Sequence, residues 1–142
     1  MSTPERKLLS FTKMNHVAEV AALLTAHPDL DVNWKARLLH SPALHWASDL
    51  DHVEIVKLLL AHPTIDVNLK NGDNQTPLMS ACVHGRASAV QVLLKDPRVD
   101  VTHTDLHGCT PLWRASQKGH LQVVELLIAS GGDLGDIESK KG

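Results

Sequence analysis

His103, His107 and Cys109 stand in an H-x3-H-x-C spacing, three potential zinc donors in one short stretch. Imidazole and thiolate are ordinary zinc ligands, and a closed structural site needs a fourth, for which His84 is the available contributor. Ser41, with His40 or His45 and Asp49, supplies the residue types of a nucleophile, a base and an orienting carboxylate. No G-x-S-x-G, glycine-rich phosphate loop or H-E-x-x-H accompanies them. Trp34, Trp46 and Trp113 form a third group, since an exposed tryptophan often anchors an interface. Each group must be weighed against the elements that would position it.

Those elements come from a chain of 142 residues, the length of one domain. Apolar residues make up 43% of it and aromatics only 3%, so the core must be aliphatic. Fourteen basic and sixteen acidic side chains give a net charge of −2, with no long run of either sign. A nucleic-acid binder usually shows a basic stripe and a binder of anionic membranes a basic amphipathic helix, so neither partner is expected. The N-terminus has no apolar run after Arg6 and Lys7, unlike a secretory signal. Leu58 to Ala61 is too short to span a bilayer. Two cysteines are too few for a disulfide framework, which points to an intracellular, mainly cytoplasmic setting.

The decisive feature is a period. Leu44, Leu78 and Leu112 lie 34 residues apart, and so do Ala47, Ala81 and Ala115. Val56, Val90 and Val124 keep that step, as do Leu59, Leu93 and Leu127. A closing marker recurs at Asp31-Val32-Asn33, Asp66-Val67-Asn68, Asp100-Val101-Thr102 and Asp133-Leu134-Gly135, spaced by 35, 34 and 33. A period of this length signals a repeat architecture.

Each unit reads as two helices and a turn. Thr76 and Thr110 suit N-caps, with Pro77 and Pro111 at the first helical position. Gly85 and Gly119 suit the left-handed residue that closes the short first helix. Asp51 stands in their place in the second unit, where it and Glu54 make a pattern resembling a capping box for the next helix. The second helix carries an apolar stripe, such as Leu121, Val124, Leu127 and Ile128. Polar, turn-rich fingers such as 71–74 and 105–108 join the units. One unit buries too few side chains to fold alone, so units must stack.

The run Thr110-Pro111-Leu112, Gly119-His120, Val123-Val124 and the aspartate turn resemble the ankyrin repeat. The resemblance spans about residues 7 to 142 and implies an all-α solenoid of stacked helix-turn-helix units with projecting finger loops. Its boundaries fall at 1–33 (a degenerate, polar N-terminal cap lacking the TPL motif), 34–68, 69–102 and 103–135. Residues 136–142 read as the start of a truncated fifth repeat, as in a fragment of a longer chain that leaves an apolar flank on repeat four. His27-Pro28, His62-Pro63 and Asp96-Pro97 replace the family's usual helix exit with one residue more, which predicts a modified exit within the same fold. Lys35 to His40 lacks the finger glycine and places Leu38 and Leu39 on a finger.

The resemblance also assigns the candidate residues. His45, His52 and His120 are expected to be structural, bonding loop backbone between repeats, and His103, His107 and Cys109 fall on one finger. The repeat pattern thus accounts for these groups without metal, cofactor or catalysis, and none is expected. Cys82 reads as a small core residue. The implied function is protein binding by a monomer through the concave face of finger tips and first helices. Contact positions of the family map onto Arg37, Leu38, Trp46, Asp49 and Leu50 in repeat two. Repeat three contributes Lys70, Asp73, Gln75, Val83 and His84, and repeat four Leu106, His107, Cys109, Gln117 and Lys118. The alternative is a targeting or autoinhibitory arm of a larger enzyme or scaffold.

Overall fold

A computed structural model describes residues 2–37 and 41–130, which form eight helices and no strands. They come in four antiparallel pairs: α1 (Pro4–Lys13) with α2 (Val17–Ala26), α3 (Ala43–Asp49) with α4 (Val53–Leu60), α5 (Pro77–Val83) with α6 (Ala87–Leu94), and α7 (Pro111–Gln117) with α8 (Leu121–Ala129). First helices pack on first helices, α1 on α3 on α5 on α7, and second helices likewise, α2 on α4 on α6 on α8. The periodic residues, the half-buried Val124 apart, are the ones this arrangement buries. Leu44, Leu78, Val56, Val90, Leu59, Leu93 and Leu127 are all at most 2% exposed and belong to one continuous core.

Local chemistry starts and stops the helices where the sequence suggests. Thr76 Oγ1 accepts from the Met79 N–H (3.2 Å) and Thr110 Oγ1 from the Trp113 N–H (3.1 Å), each followed by proline. The first repeat lacks the leucine of this motif but keeps its cap, with Thr3 accepting from Arg6 N–H ahead of Pro4. Its first helix runs ten residues against seven in the other repeats. Gly85 (φ +68°) and Gly119 (φ +73°) take the left-handed turn.

Asp51 departs from the expected role. It adopts φ +60° in the glycine position, which a short polar side chain tolerates. Its carboxylate does not cap α4, whose N-cap is His52 without a side-chain bond. It accepts instead from Ala89 N–H (2.9 Å) in the first turn of α6, one repeat further on. Glu54 pairs with Lys57 at the surface, so the pair forms no capping box.

The proline exits keep the fold as expected. Leu30, Ile65 and Val99 each donate their N–H to the carbonyl of the residue preceding the proline, closing the same tight turn three times. Asparagine then ties successive turns together. Asn33 Nδ2 donates to Thr64 O (2.9 Å) while its Oδ1 accepts from Asp66 N–H (2.8 Å). Asn68 repeats both bonds with Arg98 O and Asp100 N–H, each 2.9 Å. Alanine at Asn68 orphans one carbonyl and one N–H in a half-buried place, so we expect a loss of about 1 kcal/mol, read from the urea midpoint.

A second set of ties crosses the repeats at the far end of the first helices. His52 Nδ1 donates to Thr12 O (2.8 Å), Arg86 Nε to Asp49 O (2.8 Å) and His120 Nε2 to Val83 O (3.0 Å). These residues are 34 apart, and each supplies a donor to a carbonyl that a helix C-terminus leaves without an intrahelical partner. The structural role expected of His52 and His120 is therefore observed, and Arg86 fills it in between.

Candidate functional site

The fingers are built on a side chain that bonds its own loop. Asn71 Oδ1 accepts from the N–H groups of Asp73 and Gln75, and Asp105 Oδ1 accepts in the same way from His107 and Cys109. The turn then closes at Asn74 (φ +59°) and Gly108 (φ +74°). Asp105 is buried, which opposes its ionisation. The hydrogen bond from Arg114 Nε (2.7 Å), with those from Cys109 and His107, outweighs that penalty and holds its pKa below the usual carboxylate value. In repeat two the corresponding position is Arg37, which cannot accept such bonds. The tip of that finger, 38–40, including Leu38 and Leu39, lies outside the described residues, as do 131–142 and the expected fifth repeat.

Between the third finger and helices α3 and α5 lies an open, polar recess of about 140 Å³. Five residues expected to contact a partner line it: Trp46, Asp49, Asp73, Gln75 and His84. Ser41, His45, Asn71 and Ser80 complete the wall. Asp49 joins the α3 wall to α5. Its Oδ1 accepts from His84 Nδ1–H (2.6 Å) and from the Ser80 hydroxyl (3.2 Å). The same His84 N–H lies 2.9 Å from Ser80 O. His45 Nε2 donates to Gln75 O (2.8 Å), which fixes the neutral tautomer with an accepting Nδ1. Burial drives the His45 pKa down to about 4, against the raising effect of that bond and of Asp49.

Ser41, His45 and Asp49 do meet around the recess, but not as a relay. Ser41 Oγ lies near Asn71 Nδ2 (3.5 Å), and no hydrogen bond joins Ser41 to His45 or His45 to Asp49. The three finger donors are also spread apart in role. His103 Nε2 approaches Asp100 Oδ2 (3.6 Å), His107 is exposed, and Cys109 is buried. Among the described residues no three His, Cys, Asp or Glu groups are placed to hold one metal ion.

The remaining candidates do not line the recess. Arg37, Leu106, His107, Gln117 and Lys118 are exposed, whereas Leu50, Lys70 and Val83 are half-buried. Gln117 accepts from Arg114 Nη1 (2.9 Å), and Lys70 Nζ reaches Thr104 O (3.5 Å). Cys109 is corrected: at 1% exposure it cannot offer its side chain to a partner, because the Asp105 turn folds it beneath the finger tip. Cys82 is buried and uncharged, its thiol pKa pushed far up by desolvation. Trp46 and Trp113 are both half-buried, with Lys13 Nζ 4.4 Å from the Trp46 ring and Arg114 5.3 Å from that of Trp113. On α8, Leu121 and Ile128 are exposed.

Sequence reasoning missed His45, Asn71 and Ser80 as part of one wall. Their phases, 34 residues or near it from Met79, Asp105 and Trp46, were legible, but which repeat's finger covers which helix was not.

The family model for ankyrin repeats, in three copies, matches residues 44–138, and the chain belongs to the ankyrin-repeat family. Repeats of this family are generally protein–protein interaction modules. Comparison with curated proteins gave no match. No helix among the described residues is long and apolar enough to cross a membrane.

Proposed function

We propose that this chain is a non-catalytic binding module that docks a partner protein against its concave face of fingers and first helices. The observation that carries this reading is the convergence of Trp46, Asp49, Asp73, Gln75 and His84 on one solvent-open recess. These residues differ from one repeat to the next while the buried frame around them repeats. A site with variable, partly exposed polar groups on a rigid scaffold suits recognition. Lys118 and Leu106 extend the same face along repeat four, and the working unit is a monomer inside the cell.

Charge reversal separates this face from the rest. Asp73→Lys and Lys118→Glu should each weaken capture of the partner from a native lysate. Lys57→Glu, on the second-helix side, should leave it unchanged. All three positions are exposed or nearly so, and their melting temperatures should match the parent. Equal capture by all three variants would remove the assignment of the binding face.

A further inference from the structure

We propose that the recess between α3, α5 and the third finger receives the cationic head of an arginine or lysine side chain from the partner. This rests on the binding reading above and specifies its chemistry. At about 140 Å³ the recess is smaller than the ~300–1,000 Å³ of a pocket for a whole small molecule, but it has room for the end of one side chain.

Its walls are matched to a donor-rich positive group. Asp49 and Asp73 are both carboxylates on the recess, and among the described residues no lysine or arginine lines it. Asp49 commits Oδ1 to His84 and Ser80, which holds the group in place, while Oδ2 has no partner among the described residues. The Asp73 carboxylate likewise has none; only its backbone N–H is engaged, with Asn71. His45, 1% exposed, has Nδ1 without a hydrogen-bond partner among the described residues. With Nε2–H given to Gln75 O that nitrogen is an acceptor, closed to solvent, so it favours a positive guest through its field and not as a direct ligand. The His45 ring stays neutral at ordinary pH, so it does not repel a cation. Guanidinium and ammonium groups carry only donors, the complement of this set.

The nearby cations are directed elsewhere. Arg86 Nε bonds the backbone carbonyl of Asp49, not its carboxylate, and Lys13 stands over the Trp46 ring. That ring face is taken by Lys13, so recognition of the guest cation falls to the carboxylates of Asp49 and Asp73.

The test uses the whole chain labelled with ¹⁵N and four blocked amino acids as probes: N-acetyl-arginine amide, N-acetyl-lysine amide, and the neutral N-acetyl-citrulline and N-acetyl-norleucine amides. The arginine or lysine probe should shift the Trp46 indole and the amides of Asp49, Asp73 and His84 saturably, and the two neutral probes should not. Asp73→Asn, at an exposed position that cannot unfold the chain, should weaken that binding about tenfold, the loss expected of one charge-assisted hydrogen bond. Equal shifts with citrulline, or none with either cation, would overturn the proposal. If the cations bind nowhere while Asp73→Lys and Lys118→Glu still abolish capture, the recess reading fails alone. If the cations bind and capture is indifferent to both variants, the partner-binding reading fails instead.

Discussion

Alanine at Gly85 should destabilise the protein by about 3 kcal/mol, whereas alanine at Gly119 should cost only about 1 kcal/mol. Both glycines end a first helix with positive φ, so both substitutions carry the left-handed strain of roughly 1–2 kcal/mol. They differ in what a methyl group would meet. A Cβ at Gly119 has nothing within 4 Å, while one at Gly85 would lie 2.6 Å from His120 Nδ1 and 2.8 Å from its Cε1. The imidazole cannot simply turn away, because its Nε2 is held by Val83 O at 3.0 Å. Urea unfolding of the two variants measures the difference. A double variant, Gly85→Ala with His120→Ala, isolates the collision: relative to His120→Ala, the glycine substitution should then cost no more than at Gly119. An equal cost at Gly85 with and without the histidine would show that strain alone is responsible.

Acid should weaken the fold through His45 well before the carboxylates titrate. Its ordinary pKa of 6.5 falls to about 4 in the folded protein, chiefly because burial disfavours the imidazolium. A base whose folded pKa is depressed binds a proton more readily once unfolded. The stabilisation is therefore complete above about pH 6.5 and is lost as pH falls towards 4. The loss from this residue should reach about 2 kcal/mol at pH 5 and about 3 kcal/mol at pH 4. His45→Gln is less stable at neutral pH but should lack this component. The fall in unfolding free energy between pH 7.5 and 5 should thus be about 2 kcal/mol smaller than in the parent. Parallel curves for the two proteins would remove His45 as the source.

How much of this was legible in the sequence depends on whether a residue acts within its own repeat. Thr76, Thr110, Gly85 and Gly119 satisfy local rules of capping and turning, and the spacing alone places them correctly. The buried stripe is equally local, since it needs only the 34-residue phase and a helical face. Asp51 was misjudged because its carboxylate serves α6 and not the helix beside it in sequence. Arg86 was overlooked because it shares a position with two histidines while sharing only their ability to donate. Cys109 was assigned to the surface by its place on a finger, and only the Asp105 loop geometry shows it turned under. The recess follows the same logic: α3 supplies Asp49 and Trp46, the next finger supplies Asn71, Asp73 and Gln75, and α5 supplies Ser80 and His84. Apart from the bonds of His52 and His120, which the family resemblance supplied, bonds across a repeat boundary were the part that a one-dimensional pattern could not assign.

The ties made by His52, Arg86 and His120 all point the same way, each giving its hydrogen to a carbonyl in the unit made before it. Synthesis runs in that direction too. The carbonyls of Thr12, Asp49 and Val83 leave the ribosome well ahead of the donors that will cover them. Thr12 O has the N–H of Asn15 from its own unit, while Asp49 O and Val83 O must be held by water until the next unit arrives. Each unit is thus completed by its successor. Removing the earliest unit frees a donor side chain that water readily accommodates, while removing the latest uncovers a backbone acceptor at the end of a packed helix. The two ends of this stack are chemically unequal, and shortening it from one end is a different experiment from shortening it from the other.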